Sequence, residues 1–172
     1  MLKTQYMTAL TFEQLENSLL ALLNISVPGV PYFSSMVNVF YSTGCRPTEL
    51  FTTGIWTELT NGEYQLQPLK GNNARIVTPI GFTDIEKERI NLGLPIYSYA
   101  SVRRIRYHFS ANYLYPMASI GGKQAALYLF RHHFIKKLVN EGKTDPQIKI
   151  ALGYTTESPI TYYKNSVIEV PN

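Results

Sequence analysis

Arg46, Lys70, Arg131 and Tyr163 are residue types that can together break and remake a phosphate ester. A phosphodiester under attack gains negative charge on its non-bridging oxygens. Guanidinium forks answer that charge in bidentate fashion and stay protonated. Arg46 lies in Thr43-Gly44-Cys45-Arg46-Pro47-Thr48-Glu49-Leu50, and Arg131 opens an amphipathic run far downstream, so two separated helix starts could bring both forks to one phosphate. A phenol, with an ordinary pKa of about 10, can attack phosphorus once nearby cations lower the cost of its phenolate. The adjacent Tyr162 and Tyr163 are the candidates, and neighbouring helix positions face different ways, so one of them points into the site. The leaving oxygen needs a proton, which Lys70 could carry in on a hairpin.

Other chemistries find no support. No glycine-rich loop ends in Lys-Ser or Lys-Thr, and no serine sits in a nucleophile elbow. His108, His132 and His133 with Cys45 do not make a zinc pattern, and acidic clusters for paired magnesium ions are missing. The expectation is chemistry without metal or cofactor.

Elements that could position these groups follow from periodicity and punctuation. Thr11 with Gln14 forms a capping box ahead of the apolar stripe Leu15, Leu19, Leu20, Leu22 and Leu23. Val27-Pro28-Gly29-Val30-Pro31 breaks this helix, and a second, almost wholly apolar one runs from about Tyr32 to Ser42. Gly44 permits a tight turn, and Pro47 suits the first turn of a third helix. Tyr64 to Leu69 alternates, and Arg75 to Pro79 follows a Gly71-Asn72-Asn73 turn, so the pair reads as a β-hairpin with Lys70 at the end of its first strand. Further helices are predicted from Phe82 to Leu92, Tyr97 to Tyr113, Lys123 to Asn140, and Thr144-Asp145-Pro146 to Ala151, with punctuation at Gly121-Gly122 and stops at Gly142 and Gly153. Glu157-Ser158-Pro159 opens a last short helix bearing Tyr162 and Tyr163, and Val167 to Val170 suits a short strand. The fold class is mainly α with a small antiparallel β-sheet, an α+β single domain with its core from Thr11 to Asn165 and a tail from Ser166 to Asn172.

The 172 residues suffice for one domain with a full core, and 45% hydrophobic with 16% charged residues describes a globular chain. The net charge of +4 is modest, but Arg103, Arg104, Arg106, Lys123, Arg131, Lys136 and Lys137 fall in one region, as a phosphate-binding surface requires. Cys45, the single cysteine, reads as a buried structural thiol, compatible with a reducing compartment. Lys3, Gln5, Glu13 and Glu16 interrupt any leader-like apolar run, and no stretch approaches the roughly 18 apolar residues of a membrane span. The chain is expected to be soluble and intracellular.

Taken together, these segments resemble the catalytic domain of the tyrosine recombinases, the phage-integrase family. Residues 43 to 50 resemble that family's Thr-Gly-x-Arg-x-x-Glu-Leu box, and Leu69 to Pro79 its β-hairpin lysine box. Tyr128-Leu129-Phe130-Arg131-His132-His133-Phe134 resembles its His-x-x-Arg-His-x-Phe box, and Ala151-Leu152-Gly153-Tyr154 its Leu-Gly-His box. Tyr163 falls nine positions after Tyr154, the spacing of the family's nucleophile. The resemblance covers most of the chain. It departs at Tyr128, where the family has His or Lys, and at Tyr154, where it has His or Trp. A phenol at 154 keeps the hydrogen-bond donor; a phenol at 128 is a poor proton acceptor, which leaves His133 as a different candidate base.

The resemblance implies a site-specific recombinase acting on double-stranded DNA through a 3′-phosphotyrosyl intermediate. Its catalytic residues are expected to be Arg46, Lys70, Tyr128, Arg131, Tyr154 and Tyr163. Arg75, Arg103, Arg104, Arg106, Lys123, His132 and His133 are the expected DNA contacts. It implies a tetramer on DNA and a monomer without it, and no membrane partner. The family's N-terminal clamp domain has no counterpart in a chain that begins almost at the catalytic boxes, as in a minimal form or a fragment. A DNA-binding protein of the same fold that has lost turnover, and an enzyme like the type IB topoisomerases, share the same residues.

Overall fold

The computed structural model describes residues 7–25, 32–60, 62–69, 71–111 and 125–171, of which 7, 8, 106–111, 125, 126 and 169–171 are described by backbone alone. Lys70, Lys123, Gly121-Gly122 and the break at Val27 to Pro31 lie outside the described residues, as does the side chain of Arg106.

Helix α1 (Phe12–Ala21) starts at the predicted capping box: Gln14 N donates to Thr11 Oγ1 at 3.1 Å, and Thr11 N donates to Gln14 Oε1 at 2.9 Å. A 3-10 turn (Leu22–Asn24) extends it, and Leu15, Leu19 and Leu22 are buried. Helix α2 (Phe33–Thr43) buries Met36, Val37, Val39 and Phe40, as its apolar character predicts. It ends at Gly44 in the left-handed conformation (φ 60°), where an added Cβ would meet the Phe134 ring at 2.5 Å. Helix α3 (Pro47–Phe51) follows with proline in its first turn.

The predicted hairpin is present as β3 (Tyr64–Leu66) and β4 (Arg75–Val77), paired antiparallel with Leu66 opposite Arg75. A third strand, β2 (Trp56–Glu58), was not foreseen; it pairs with β3 to give the order β2-β3-β4. It is too short for an alternating pattern to show. Trp56 anchors it, with its indole N–H donating to Glu49 O at 2.8 Å and its ring edge-on to Tyr64 and Phe82.

Helices α4 (Asp84–Asn91) and α5 (Tyr99–Ala111) fall where expected, except that α5 starts after Tyr97. Tyr97 is instead drawn into the core, its hydroxyl donating to buried Glu86. The helix expected from Lys123 is divided: Ala125–Tyr128 forms a 3-10 turn and α6 runs from Leu129 to Asn140. The tighter turn changes the angular setting of Tyr128 relative to the α6 face. Helix α7 (Asp145–Leu152) starts at the Thr144–Gln147 capping box and ends at left-handed Gly153, and α8 (Ser158–Asn165) carries the tyrosine pair. Strand β5 (Glu169–Pro171) pairs antiparallel with β1 (Met7–Ala9), a strand the sequence did not reveal.

Two clusters make the core. The larger joins α1, α2, α5, the sheet and the start of α6; the smaller joins Ile135, Ile148, Leu152, Tyr154 and Ile160 from α6, α7, the turn after it and α8. Helix α6 belongs to both, through Phe130 and Ile135, so Arg131 lies at their seam. Cys45 is buried, as expected.

Glu86 pins α4 to α2. Its Oε1 accepts from Thr83 N at 3.0 Å and Thr83 Oγ1 at 2.7 Å, and Ser35 Oγ lies 2.7 Å from each carboxylate oxygen. Removing the acceptor strands several donors in a dry site. Glu86→Ala is expected to lower unfolding free energy by about 3 kcal/mol, and Glu86→Gln by less, because one acceptor oxygen survives. Urea denaturation checks this; equal losses for the two variants would contradict it.

Candidate active site

The loop between α2 and α3 delivers Arg46 as the residue preceding α3. Glu49, one turn into the helix, folds back so that its Oε1 accepts from Arg46 N at 2.6 Å and lies 3.9 Å from Arg46 Nη1. This fixes the Arg46 backbone and leaves the guanidinium partly open, with 19% of its side chain exposed. Arg131 comes from the first turn of α6 and has no exposed surface. Its Nη1 donates to Gly44 O at 2.9 Å and its Nε donates to Tyr154 Oη at 2.8 Å.

Tyr154 joins the two arginines. Its ring centroid lies 5.4 Å from the guanidinium carbon of Arg46 and 4.9 Å from that of Arg131. The negative face of the ring partly offsets the repulsion between the cations. Both guanidiniums therefore lie within 5.4 Å of the centre of one ring.

Tyr163 stands beside this pair. Burial pushes its phenol up to about 12, with Tyr154 and Tyr128 adding to the rise while Arg131 and Arg46 oppose it. The Tyr163 ring packs against the smaller core cluster, which contains Tyr154. Tyr162, by contrast, is 66% exposed. His132 packs edge-on against the Tyr163 ring at 4.6 Å between centroids, and its Nδ1 lies 2.9 Å from Ser166 Oγ. Ser166 Oγ donates to Tyr163 O at 2.7 Å, which ties the end of α8 to α6.

Several expected DNA contacts prove to be elsewhere. Arg75 is 4% exposed and lies beneath the site, held by Thr43 O, Ala151 O and Glu49, so it does not reach a groove. His133 has no exposed surface and stacks between Phe12 and Tyr41, with Nε2 3.2 Å from Glu16 Oε1. It faces α1 and α2 and offers no exposed surface for a DNA contact. His132 is half-buried and engaged with Ser166 and Tyr163 rather than open to solvent. The physical cause is shared: a positively charged or aromatic side chain on an amphipathic element can serve the buried face as well as the exposed one. Arg103 and Arg104 do lie exposed on α5, with the Arg103 guanidinium over the Tyr99 ring at 5.8 Å.

Sequence reasoning missed two contacts that assemble the site. Asn73 N donates to Gly153 O at 2.7 Å, and a Cβ on Gly153 would meet Asn73 O at 2.3 Å. The Leu-Gly pair before Tyr154 is therefore needed for close docking of the hairpin as well as for the left-handed turn. Among the described residues no group of three His, Cys, Asp or Glu is placed to hold a metal ion.

The buried titratable groups set the pH range of stability. Burial, with Lys136 adding to it, holds His132 down to about 4 from an ordinary 6.5, and burial lowers His133 against the opposing pull of Glu16. Groups lowered on folding stabilise the fold above their ordinary value and lose that contribution as pH falls through the folded value. Tyr41, Cys45 and Tyr163 are pushed up to about 12, chiefly by burial; their contribution is complete below the ordinary 9.0 to 10.0 and is lost as pH rises toward 12. Unfolding free energy should plateau between about pH 7 and 9 and fall on both sides. Urea titrations across pH test this, and His132→Gln should shrink the acid limb; a stability that rises below pH 6 would refute the assignment.

No family model and no curated protein matches the chain. Among solved structures it superposes on the crystal structure of XerA recombinase with a TM-score of 0.61 at 18% sequence identity, over 92% of this chain and 60% of that one. The chain thus spans less than two thirds of that protein's length. At this identity the likeness shows the fold, and the chain has a recombinase-like α+β architecture.

Proposed function

We propose that this chain cuts and rejoins double-stranded DNA as the catalytic domain of a tyrosine recombinase. The observation that carries this reading is that the Arg46 and Arg131 guanidiniums both lie against the Tyr154 ring, while Tyr163 packs on the core cluster that contains Tyr154.

A scissile phosphate seated against the partly open Arg46 fork reaches Arg131, which has no exposed surface in the free protein, once a covering side chain shifts aside. Arg131 Nη2 is buried without a hydrogen-bond partner, which leaves a donor for a non-bridging oxygen. Tyr154 Oη accepts from Arg131 Nε, so its own O–H is free to donate to the phosphate. Charge developing on the phosphorane is met by donors already in place, the arrangement that lowers such barriers most.

Tyr163 Oη attacks phosphorus; the bond from phosphorus to the 5′ oxygen breaks, and a 3′-phosphotyrosyl link forms. The Tyr163 proton passes to solvent water as the phenol attacks, and Lys70 protonates the departing 5′ oxygen. A second 5′ hydroxyl reverses the step and rejoins the strand. The ester bond is conserved throughout, so the exchange consumes no nucleotide triphosphate. The two guanidiniums already oppose the burial that raises the Tyr163 phenol, and a bound substrate that orders them strengthens that effect. Exposed Arg103 and Arg104 supply backbone contacts on α5. Tetramer formation on DNA belongs to the same reading.

The second reading is a DNA-binding protein of this fold without turnover. The phenol of Tyr128 where a stronger proton acceptor would serve better is the observation that favours it.

The test is a pool of nicked duplexes of randomised sequence, in which release of a short 5′ fragment traps any adduct. A covalent protein–DNA band is expected from the natural chain and from Tyr162→Phe, and none from Tyr163→Phe. Arg46→Ala and Arg131→Ala should each slow adduct formation by about 100- to 1,000-fold. Adduct from Tyr163→Phe would overturn the nucleophile assignment; salt-sensitive binding with no adduct from any variant would select the second reading.

A further inference from the structure

We propose that Arg75 is a positioning residue of this site, a buried side chain that ties the β3–β4 hairpin to the segments presenting Arg46, Arg131 and Tyr154. The inference deepens the recombinase reading, but its structural arm stands without it.

Arg75 projects from β4 with only 2% of its side chain exposed. Its Nη1 donates to Thr43 O at 3.0 Å and reaches Ala151 O at 3.4 Å, and its Nη2 lies 3.6 Å from Glu49 Oε1. Each of those partners belongs to a different segment of the site. Thr43 ends α2 and precedes Gly44, whose carbonyl accepts from Arg131. Glu49 holds the backbone of Arg46. Ala151 lies in the last turn of α7, just before Tyr154. One planar fork therefore sets the spacing of three chain segments, which an ammonium at the same place could not do because it is a point charge with no fixed geometry.

The hairpin has a second attachment, the Asn73–Gly153 hydrogen bond, on the same turn that carries Tyr154. The two attachments together leave little freedom between the hairpin base and Tyr154. A third feature makes Arg75 more than a brace. Arg46 and Arg75 share one buried carboxylate, Glu49, and Nε and Nη2 of Arg75 lack hydrogen-bond partners. Burial and Arg131 weaken the hold of Arg75 on its proton while Glu49 strengthens it. Positive charge in excess of its carboxylate beneath the site favours an incoming phosphate.

The test uses the whole chain and has two arms. In the DNA-free protein, the Arg131 Nε–H held by Tyr154 should exchange slowly with solvent by nuclear magnetic resonance. Arg75→Lys, shown to be folded by circular dichroism, should speed that exchange by at least about tenfold, whereas Ile90→Val, a core change remote from the site, should not. If Arg75→Lys fails to fold, Arg75→Gln, which keeps a planar amide but cannot span all three partners, should give the same loosening. Unchanged Arg131 Nε–H exchange in the folded variant would overturn the proposal. In the second arm, Arg75→Lys should cut the rate of adduct formation by about a hundredfold while DNA affinity stays within about threefold. An equal fall in affinity and rate would show a binding residue instead. If the natural chain forms no adduct, the recombinase reading fails, and the exchange arm alone decides the role of Arg75.

Discussion

A guanidinium with no exposed surface is the constraint on which the rest of this structure depends. Removing Arg131 from water is costly unless its donors and charge are met. Among the described residues its direct partners are a carbonyl, a phenolic oxygen and the face of a tyrosine ring, none of them anionic. The loop at Gly44, the turn at Tyr154 and the seam of α6 are all shaped around that side chain. The charge remains incompletely answered, with Nη2 unpartnered. A site that keeps a buried cation short of an anion is organised for a negative ligand before that ligand arrives.

The surrounding architecture follows from where the arginine must be held. Helix α6 can bury Arg131 because Phe130 packs into the larger core and Ile135 into the smaller, fixing the helix from both sides. The Phe40 and Phe130 rings stack at 5.1 Å, which sets α2 against α6 and brings Gly44 to the arginine. Gly44 tolerates the close Phe134 ring because it has no Cβ. Gly153 plays the same part on the other side, where the hairpin turn approaches within a distance that only glycine allows. The ribbon of β1 and β5 ties the two ends of the described chain together beside α8, the helix that carries Tyr163.

Neutral phenols gather at this site: Tyr154 lies against both arginines, and Tyr163 packs on the same core cluster. Tyr154 gives up a possible cation and in exchange supplies a π face that accommodates two guanidiniums at once. An imidazolium at that place would add a third positive charge to the pair. Burial then works against ionisation of Tyr163, and the arginines work for it.

Much of this was readable from residues in order. The Thr11, Thr83 and Thr144 helix starts, the Gly44 and Gly153 stops and the β3–β4 hairpin follow from local rules of capping, left-handed backbone and alternation, each of which acts over a few positions. The proximity of Arg46, Arg131 and Tyr163 could be anticipated from motif order. What local rules cannot say is which face of an element turns inward. Arg75 and His133 look like surface cations in the chain, yet one is a buried tie and the other a core ring stacked on Phe12 and Tyr41. Strands β1 and β2 were invisible for a related reason: three residues carry no period, and only a partner far away in sequence makes them strands. The sequence by itself determined most of the helices and the β3–β4 hairpin. Tertiary packing alone decided which cations face the solvent and which hold the site together, because burial depends on neighbours that meet only when the chain is folded.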